Sequence, residues 1–388
     1  MKIFLIVLYF ILFLFISDTF SRTIYIYKYE SDKTQWQNLL VKVQDNEWDE
    51  FISEGSESPD KAQITIDKEN NLYFLTSSIY NAQVLKFSNC QKTIIDKIIF
   101  PDKGSSFNFF TDGKSIPYMV YGNSDGQQKH FIKIEKYIGT NWQLYDEYLY
   151  DGYTSLKNTF HQLNSKGDLI AAIDYFGKLK VNSGNNGEQV LLARLKLNKS
   201  TNMAHYTCTG KEWDNSLYNI YLSDMKLDNM DTPYLIFGVY SKTAEQQLYC
   251  FKNSKFERML LPADLKKCKE PLLYFDKENN LYIFAINSSE KIQITKYSQG
   301  KWQSIYLPKI FIPQTVKFRL SIAIGPDGSM YLAYADWLRS YHNKVVVLKF
   351  KDNIWSLIGQ REYDYNITGV DLVVNNQDIP FLALTMWR

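Results

Sequence analysis

The chain has 388 residues, with 44 Lys and Arg against 42 Asp and Glu and a formal net charge of +2. That balance gives no electrostatic reason to expect a nucleic-acid partner or an anionic membrane surface. Hydrophobic residues at 45% and charged residues at 22% exclude a largely disordered chain. Aromatics reach 16%, with 29 Tyr and 24 Phe, a composition suited to a pleated, half-buried surface.

The N-terminus reads as a secretory signal peptide over residues 1–21. Met1 and Lys2 precede an unbroken apolar run from Ile3 to Ile16, and Thr19 and Ser21 are small residues before a cut at Arg22. The run spans about 21 Å as a helix, short of a hydrocarbon core of about 30 Å. The expectation is a protein in the periplasm or outside the cell, with no stable membrane insertion after cleavage. An uncleaved signal anchor is the alternative.

Four cysteines, Cys90, Cys208, Cys250 and Cys268, form no C-x-x-C pair, which argues against a zinc ribbon or a thioredoxin motif. Cys250 and Cys268 are close enough in sequence for a local disulfide, and free buried thiols are the competing reading. Asn198, Asn287 and Asn366 each begin a glycosylation triplet.

Residues 22–388 repeat themselves. Asp67-Lys68-Glu69-Asn70-Asn71-Leu72-Tyr73 recurs unchanged as Asp276 to Tyr282. Looser copies of the same plan, a polar turn and then an apolar-aromatic strand, begin at Asp112, Asn164, Asp228, Pro326 and Asn375. The second strands fall at 73, 118, 170, 234, 282, 331 and 381, a period of about 50 residues. A second hairpin interleaves with the first. Its copies are Val43–Trp48, Tyr137–Trp142, Cys208–Trp213, Tyr297–Trp302 and Phe350–Trp355, with weakened forms at Phe87–Lys92 and Phe251–Phe256. Five of the eight tryptophans sit in this slot, which marks them as packing residues. Two hairpins per period make four strands, and no 3.6-residue apolar stripe follows the signal segment. The pattern predicts an all-β, seven-bladed β-propeller of four-stranded antiparallel blades in one domain, with eight blades as the alternative. Strands from both chain ends would complete one blade, with Thr23–Glu30 either adding an outer strand or competing with Phe381–Trp387.

The segment Gly325-Pro326-Asp327-Gly328-Ser329-Met330-Tyr331-Leu332-Ala333 resembles the inner hairpin of the large β-propeller superfamily, and the chain is similar to secreted sialidase-like and NHL-like repeats. The sialidase Asp-box is missing, no WD dipeptide ends a blade, and the resemblance transfers no catalytic residue. The insertion between Ile170 and Trp213 reads as a surface excursion.

Chemistry is sparse. His130, His161, His205 and His342 lie in no metal-binding spacing, and there is neither a G-x-S-x-G elbow nor a phosphate loop. No catalytic residue, metal or cofactor is assigned. The turn aspartates Asp67, Asp112, Asp228, Asp276 and Asp327 read as caps of their own turns. Tyr80, Tyr121, Tyr175, Tyr240, Trp337 and Tyr341 follow the second strands and fall on one rim, where aromatics can stack on sugars or anchor a protein. Packing between blades is the other reading of these residues. The functional expectation is a secreted binding propeller for a glycan or protein. A glycosidase, sialidase-like hydrolase or lyase with a site in the central channel is the alternative.

Overall fold

The computed structural model describes residues 22–30, 35–38, 61–77, 81–88, 91–99, 107–111, 116–124, 129–151, 156–165, 169–175, 191–196, 204–208, 219–240, 245–252, 255–313, 320–339, 342–364 and 366–387. The signal segment, Val43–Trp48 and the insertion loop at 176–190 lie outside them. Among the described residues no helix is long and apolar enough to cross a membrane.

The described strands pair into seven four-stranded sheets, each antiparallel throughout. The first sheet holds Lys61–Ile66, Leu72–Ser77, Asn81–Ser88 and Gln91–Ile99 in spatial order. The second runs from Phe107 to Asp151, the third from Leu156 to Cys208, the fourth from Asn219 to Met259, the fifth from Lys269 to Ile305 and the sixth from Ser321 to Tyr363, all in the same serial order. The arrangement is an all-β propeller with antiparallel blades. Five blades are recognised as such, fewer than the seven or eight expected, while the hydrogen-bonded sheets number seven.

The closing sheet draws on both ends of the chain. Asn366–Val374 and Pro380–Trp387 form its inner half, Arg22–Glu30 pairs with Pro380–Trp387 from Arg22↔Trp387 to Lys28↔Phe381, and Gln35–Asn38 is outermost. Thr23–Glu30 therefore adds a strand and does not displace Phe381–Trp387. Arg22–Glu30 and Gln35–Asn38 form the outer half of the closing sheet, where Tyr29 registers with Trp36 as Tyr137 does with Trp142. One hairpin expectation needs correction. In the third sheet Leu191–Lys196 pairs with Ala204–Cys208, so Cys208 ends the fourth strand and Cys208–Trp213 is not the turn between strands three and four.

Burial explains the sequence pattern. Second strands are covered on both faces, and all six residues of Leu281–Ile286 are buried. Successive side chains on one strand point into different inter-sheet gaps. Tyr282, Phe284 and Ile286 pack with Leu332 and Leu348 toward the sixth sheet, whereas Leu281, Ile283 and Ala285 pack with Ile236 and Leu248 of the fourth. The repeated tryptophan is a packing residue. It meets its cross-strand aromatic at ring-centroid distances of 5.2 Å for Tyr137–Trp142 and 4.8 Å for both Tyr297–Trp302 and Phe350–Trp355.

Innermost strands leave one edge without a sheet partner, and among the described residues side chains of neighbouring sheets cap four of them. Gln162 Oε1 accepts from Leu227 N at 2.9 Å. Asp224, placed after a bulge in its strand, accepts from Leu273 N at 2.7 Å and from Met225 N at 2.8 Å. Asp371 Oδ2 accepts from Ile64 N at 2.9 Å, and its Oδ1 accepts from Ser321 Oγ at 3.0 Å. Ser321 Oγ in turn accepts from Leu372 N at 2.9 Å. Burial pushes the Asp224 carboxyl up, against the opposing pull of Lys226 and the two N–H groups.

Truncating an acceptor leaves a buried N–H without a partner. Asp224→Ala and Asp371→Ala should each lower unfolding free energy by about 1–3 kcal/mol in urea titrations. The exposed Glu69→Ala should stay within about 0.5 kcal/mol of the parent.

Candidate functional site

In an antiparallel four-stranded sheet, the first and third turns share one end and the loop between strands two and three lies at the other. The propeller thus has a turn face and a loop face, and the recurrent motif builds the turn face.

Each inner turn is a type I turn closed by a left-handed residue. In the first, Asn70 N donates to Asp67 O and Asp67 N to Asn71 O, both at 3.0 Å. The fourth position has positive φ in the five such turns that the described residues complete: Asn70 64°, Asp231 62°, Asn279 63°, Gly328 84° and Asp378 63°. Asn, Asp and Gly tolerate that region, which accounts for the composition of the motif. The aspartates cap their turns as expected: Asp67 Oδ1 accepts from Asn71 N at 2.8 Å, Asp228 Oδ1 from Thr232 N at 2.8 Å and Asp276 Oδ1 from Asn280 N at 2.7 Å.

Neighbouring turns also bond one another. Asn229 N donates to Asn279 Oδ1 at 2.9 Å, and Asn229 Nδ2 to Lys277 O at 3.0 Å. Asn376 repeats this between the closing and first sheets, donating to Asn70 Oδ1 at 3.2 Å and to Lys68 O at 2.9 Å. Ser165 N donates to Asp231 Oδ1 at 2.8 Å, Lys277 Nζ to Pro326 O at 3.2 Å and Thr111 Oγ1 to Ile66 O at 2.7 Å. At Gly325 an added Cβ would stand 2.0 Å from Asp378 Oδ1, so the sixth turn has no room there for a side chain.

A second recurrent element escaped the sequence reading: a lysine on the third strand, in register with the motif tyrosine. Tyr73 pairs with Lys86, Tyr118 with Lys136, Tyr282 with Lys296 and Tyr331 with Lys349. Lys86 lies 5.3 Å over the Tyr73 ring, Lys296 5.1 Å over Tyr282 and Lys349 5.1 Å over Tyr331. Tyr73 and Tyr282 each donate to Oδ2 of the turn aspartate at 3.1 Å, and burial followed by that carboxylate raises both phenols. Lys296 reaches Asp276 Oδ2 at 3.7 Å, and Lys349 bridges Asp378 and Asp327. The lysine follows its tyrosine at offsets of 13 to 18 residues, because the loop between strands two and three varies in length, so only strand register reveals the series.

The fourth sheet breaks this series, because Tyr234 registers with Cys250. A cleft of about 540 Å³ opens there between the fourth and fifth sheets. Tyr234, Phe275 and Tyr297 supply its aromatic wall, and Glu278, Asn279 and Gln299 its polar one. Tyr234 and Phe275 meet at 4.8 Å between centroids. Burial, then the Asp228 charge, pushes the Tyr234 phenol up to about 12.

The disulfide expected between Cys250 and Cys268 does not form; both are buried free thiols. Each sulfur is turned to a different acceptor. Cys250 Sγ contacts Glu257 O at 3.7 Å, and Cys268 Sγ contacts Asp264 O at 3.3 Å and Gln293 Oε1 at 3.4 Å. Burial, then Asp264, pushes the Cys268 thiol up to about 12. Asn287 Oδ1 accepts from Ser289 N and Lys291 N, both at 3.0 Å, in a loop-face turn. Asn366 lies in the first strand of the closing sheet. Asn198 lies outside the described residues.

Of the rim aromatics, Tyr175, Tyr240 and Trp337 stand at or near the loop-face ends of second strands, as their spacing implied. Trp337 is half-buried and registers with Asn343. Tyr121 corrects the set. It is 6% exposed and packs with Phe109 and Met119 in the core beside Tyr73, because its alternation places it inward. Tyr80 and Tyr341 lie outside the described residues.

No protein-family model matches this sequence, and no curated protein does. Among solved structures the chain is similar to a PL25 ulvan lyase, with a TM-score of 0.52 and 7% identity over 80% of this chain and 84% of that one. It also matches a Hadza microbial sialidase (TM-score 0.46, 10% identity, 81% of this chain and 73% of that one). A Trypanosoma rangeli sialidase matches with a TM-score of 0.44 and 11% identity, over 76% of this chain and 56% of that one. At such identities the likeness is one of fold: the chain is a β-propeller.

The turn face has a pH signature at Asp327. Burial opposes ionisation, but hydrogen bonds from Lys351 and Ser329 and the nearby Lys349 charge hold this carboxyl well below the usual range. Its lowered folded-state value stabilises the protein above the unfolded carboxylate pKa of about 3.9, and this contribution fades as pH falls below that point. Urea midpoints of the parent should therefore exceed those of Asp327→Asn at pH 7, and the gap should narrow steadily as pH falls below about 4.

Proposed function

We propose that this protein is an extracytoplasmic binding propeller that takes a glycan or protein ligand at its loop face and carries out no hydrolysis or elimination. The observation that supports this is the employment of the carboxylates. Asp224 and Asp371, on innermost strands, are tied to main-chain N–H groups of adjacent sheets, and Asp67, Asp228 and Asp276 are tied into turns. A glycosidase needs two carboxyls facing one substrate about 5–10 Å apart; carboxylates that hold sheets together are poor candidates for that role. On this reading Tyr80, Tyr175, Tyr240, Trp337 and Tyr341 contribute ligand contacts, and Tyr121 does not. Secretion by cleavage after Ser21 belongs to the same proposal. So does the blade count, with all seven sheets as blades of one ring latched by the two chain ends.

The test is a glycan array probed with residues 22–388, run beside reducing-end and unsaturated-uronate assays on the same glycans, with immobilised extracellular proteins as a second panel. Saturable binding without product release is the expected result, weakened about tenfold by Trp337→Ala. Product release that persists in pure protein would overturn the binding assignment in favour of a channel hydrolase or lyase.

A further inference from the structure

The break in the lysine series points to a second, separate site on the turn face, independent of the loop-face reading. Three sheets solve the same packing problem in the same way. A tyrosine on the second strand faces the next sheet, and a lysine on the third strand lays its ammonium over that ring at 5.1 to 5.3 Å. Lys296 and Lys349 also reach carboxylates of the turns.

In the fourth sheet the tyrosine is kept and the lysine is lost. Tyr234 packs toward the fifth sheet, but its cross-strand partner is the short, buried Cys250, whose thiol is turned to Glu257 O. Phe275 stands where the first, second and sixth sheets have Ile66, Thr111 and Ile324 just before the turn, and its ring closes on Tyr234 at 4.8 Å. Space remains nonetheless: the cleft is lined by Tyr234, the counterpart of the rings that Lys86 and Lys296 cover in other sheets. Its walls are Tyr234, Phe275 and Tyr297, with the Glu278 carboxylate at the margin. Three aromatic faces and one carboxylate around an opening of about 540 Å³ suit a desolvated cation better than an anion or a neutral sugar.

We infer that the cleft between the fourth and fifth sheets binds an alkylammonium group supplied from outside the chain, the amine taking the place that a lysine of this chain occupies in the sister gaps. Both a lysyl side chain of a protein and a small quaternary amine carry that chemistry.

The full chain is titrated with Nα-acetyl-lysine amide, with choline and with the neutral isostere Nα-acetyl-norleucine amide, followed by calorimetry and tyrosine fluorescence. Saturable binding of one or both cations, with the norleucine amide at least about tenfold weaker, is the expected outcome. Preference for the lysine amide would identify a protein side chain as the source, and preference for choline a quaternary amine. Glu278→Gln, at an exposed position, should weaken the cation by about fivefold. Cys250→Lys combined with Phe275→Ile rebuilds the sister arrangement and should abolish binding while far-UV dichroism is unchanged. If that double variant fails to fold, Tyr297→Leu replaces it, with a loss of about fivefold or more expected. Failure of both cations to bind, equal binding of the norleucine amide, or unchanged affinity in Glu278→Gln together with the cleft variant would overturn the inference. None of these results touches the loop-face proposal, which is read on glycans and immobilised proteins.

Discussion

A ring of antiparallel sheets hides most of its strand edges but not the innermost ones. One edge of each sheet faces the axis, where its N–H groups have no ladder to join and water has limited access. This chain answers with side-chain acceptors reached across four junctions among the described residues: Gln162 for Leu227, Asp224 for Leu273, Ser321 for Leu372 and Asp371 for Ile64. An unmade bond of this kind costs more than a made one gains. The sheets are therefore conditional on one another, and carboxylates near the axis are committed before any ligand arrives.

The turn face adds a second fastening of different character. Its bonds run between polar turns at the surface, and its cations are held over aromatic rings as well as against carboxylates. Asn229 and Asn376 perform the same docking on opposite sides of the ring, each donating through its backbone N–H and its amide to the next turn. This repetition gives the fourth-sheet exception its meaning. Where Cys250 replaces the lysine, the surrounding aromatics have been kept and enlarged, as Phe275 shows, rather than trimmed to fit.

Much of the architecture was legible because turn chemistry is local. The positive-φ residue four places into each inner turn restricts that position to Asn, Asp or Gly, and the repeated Asp-Lys-Glu-Asn-Asn is a direct print of that restriction. The outer hairpins were less legible. The pairing of Tyr29 with Trp36 carries the same aromatic pair as the other outer hairpins but follows no inner turn, and only pairing with Pro380–Trp387 places it. The candidate site was the least legible part. Tyr121 and Trp337 follow similar strands, yet one is enclosed by Phe109 and Met119 and the other is half-buried, a difference set by strand parity and neighbours far away in sequence. The cleft was invisible because its walls come from segments far apart in sequence, and the departure at Cys250 from the lysine series appears only when third strands are set in register across sheets.

The latch made by the closing sheet also sets an order of events. Arg22–Glu30 precedes every other described strand in the sequence, and its partner Pro380–Trp387 follows them all. During translation the earlier strand therefore keeps an unpaired edge until the later one is made. That edge is adhesive in the interval, and circular permutation that sets the two strands next to one another in sequence would shorten the exposure.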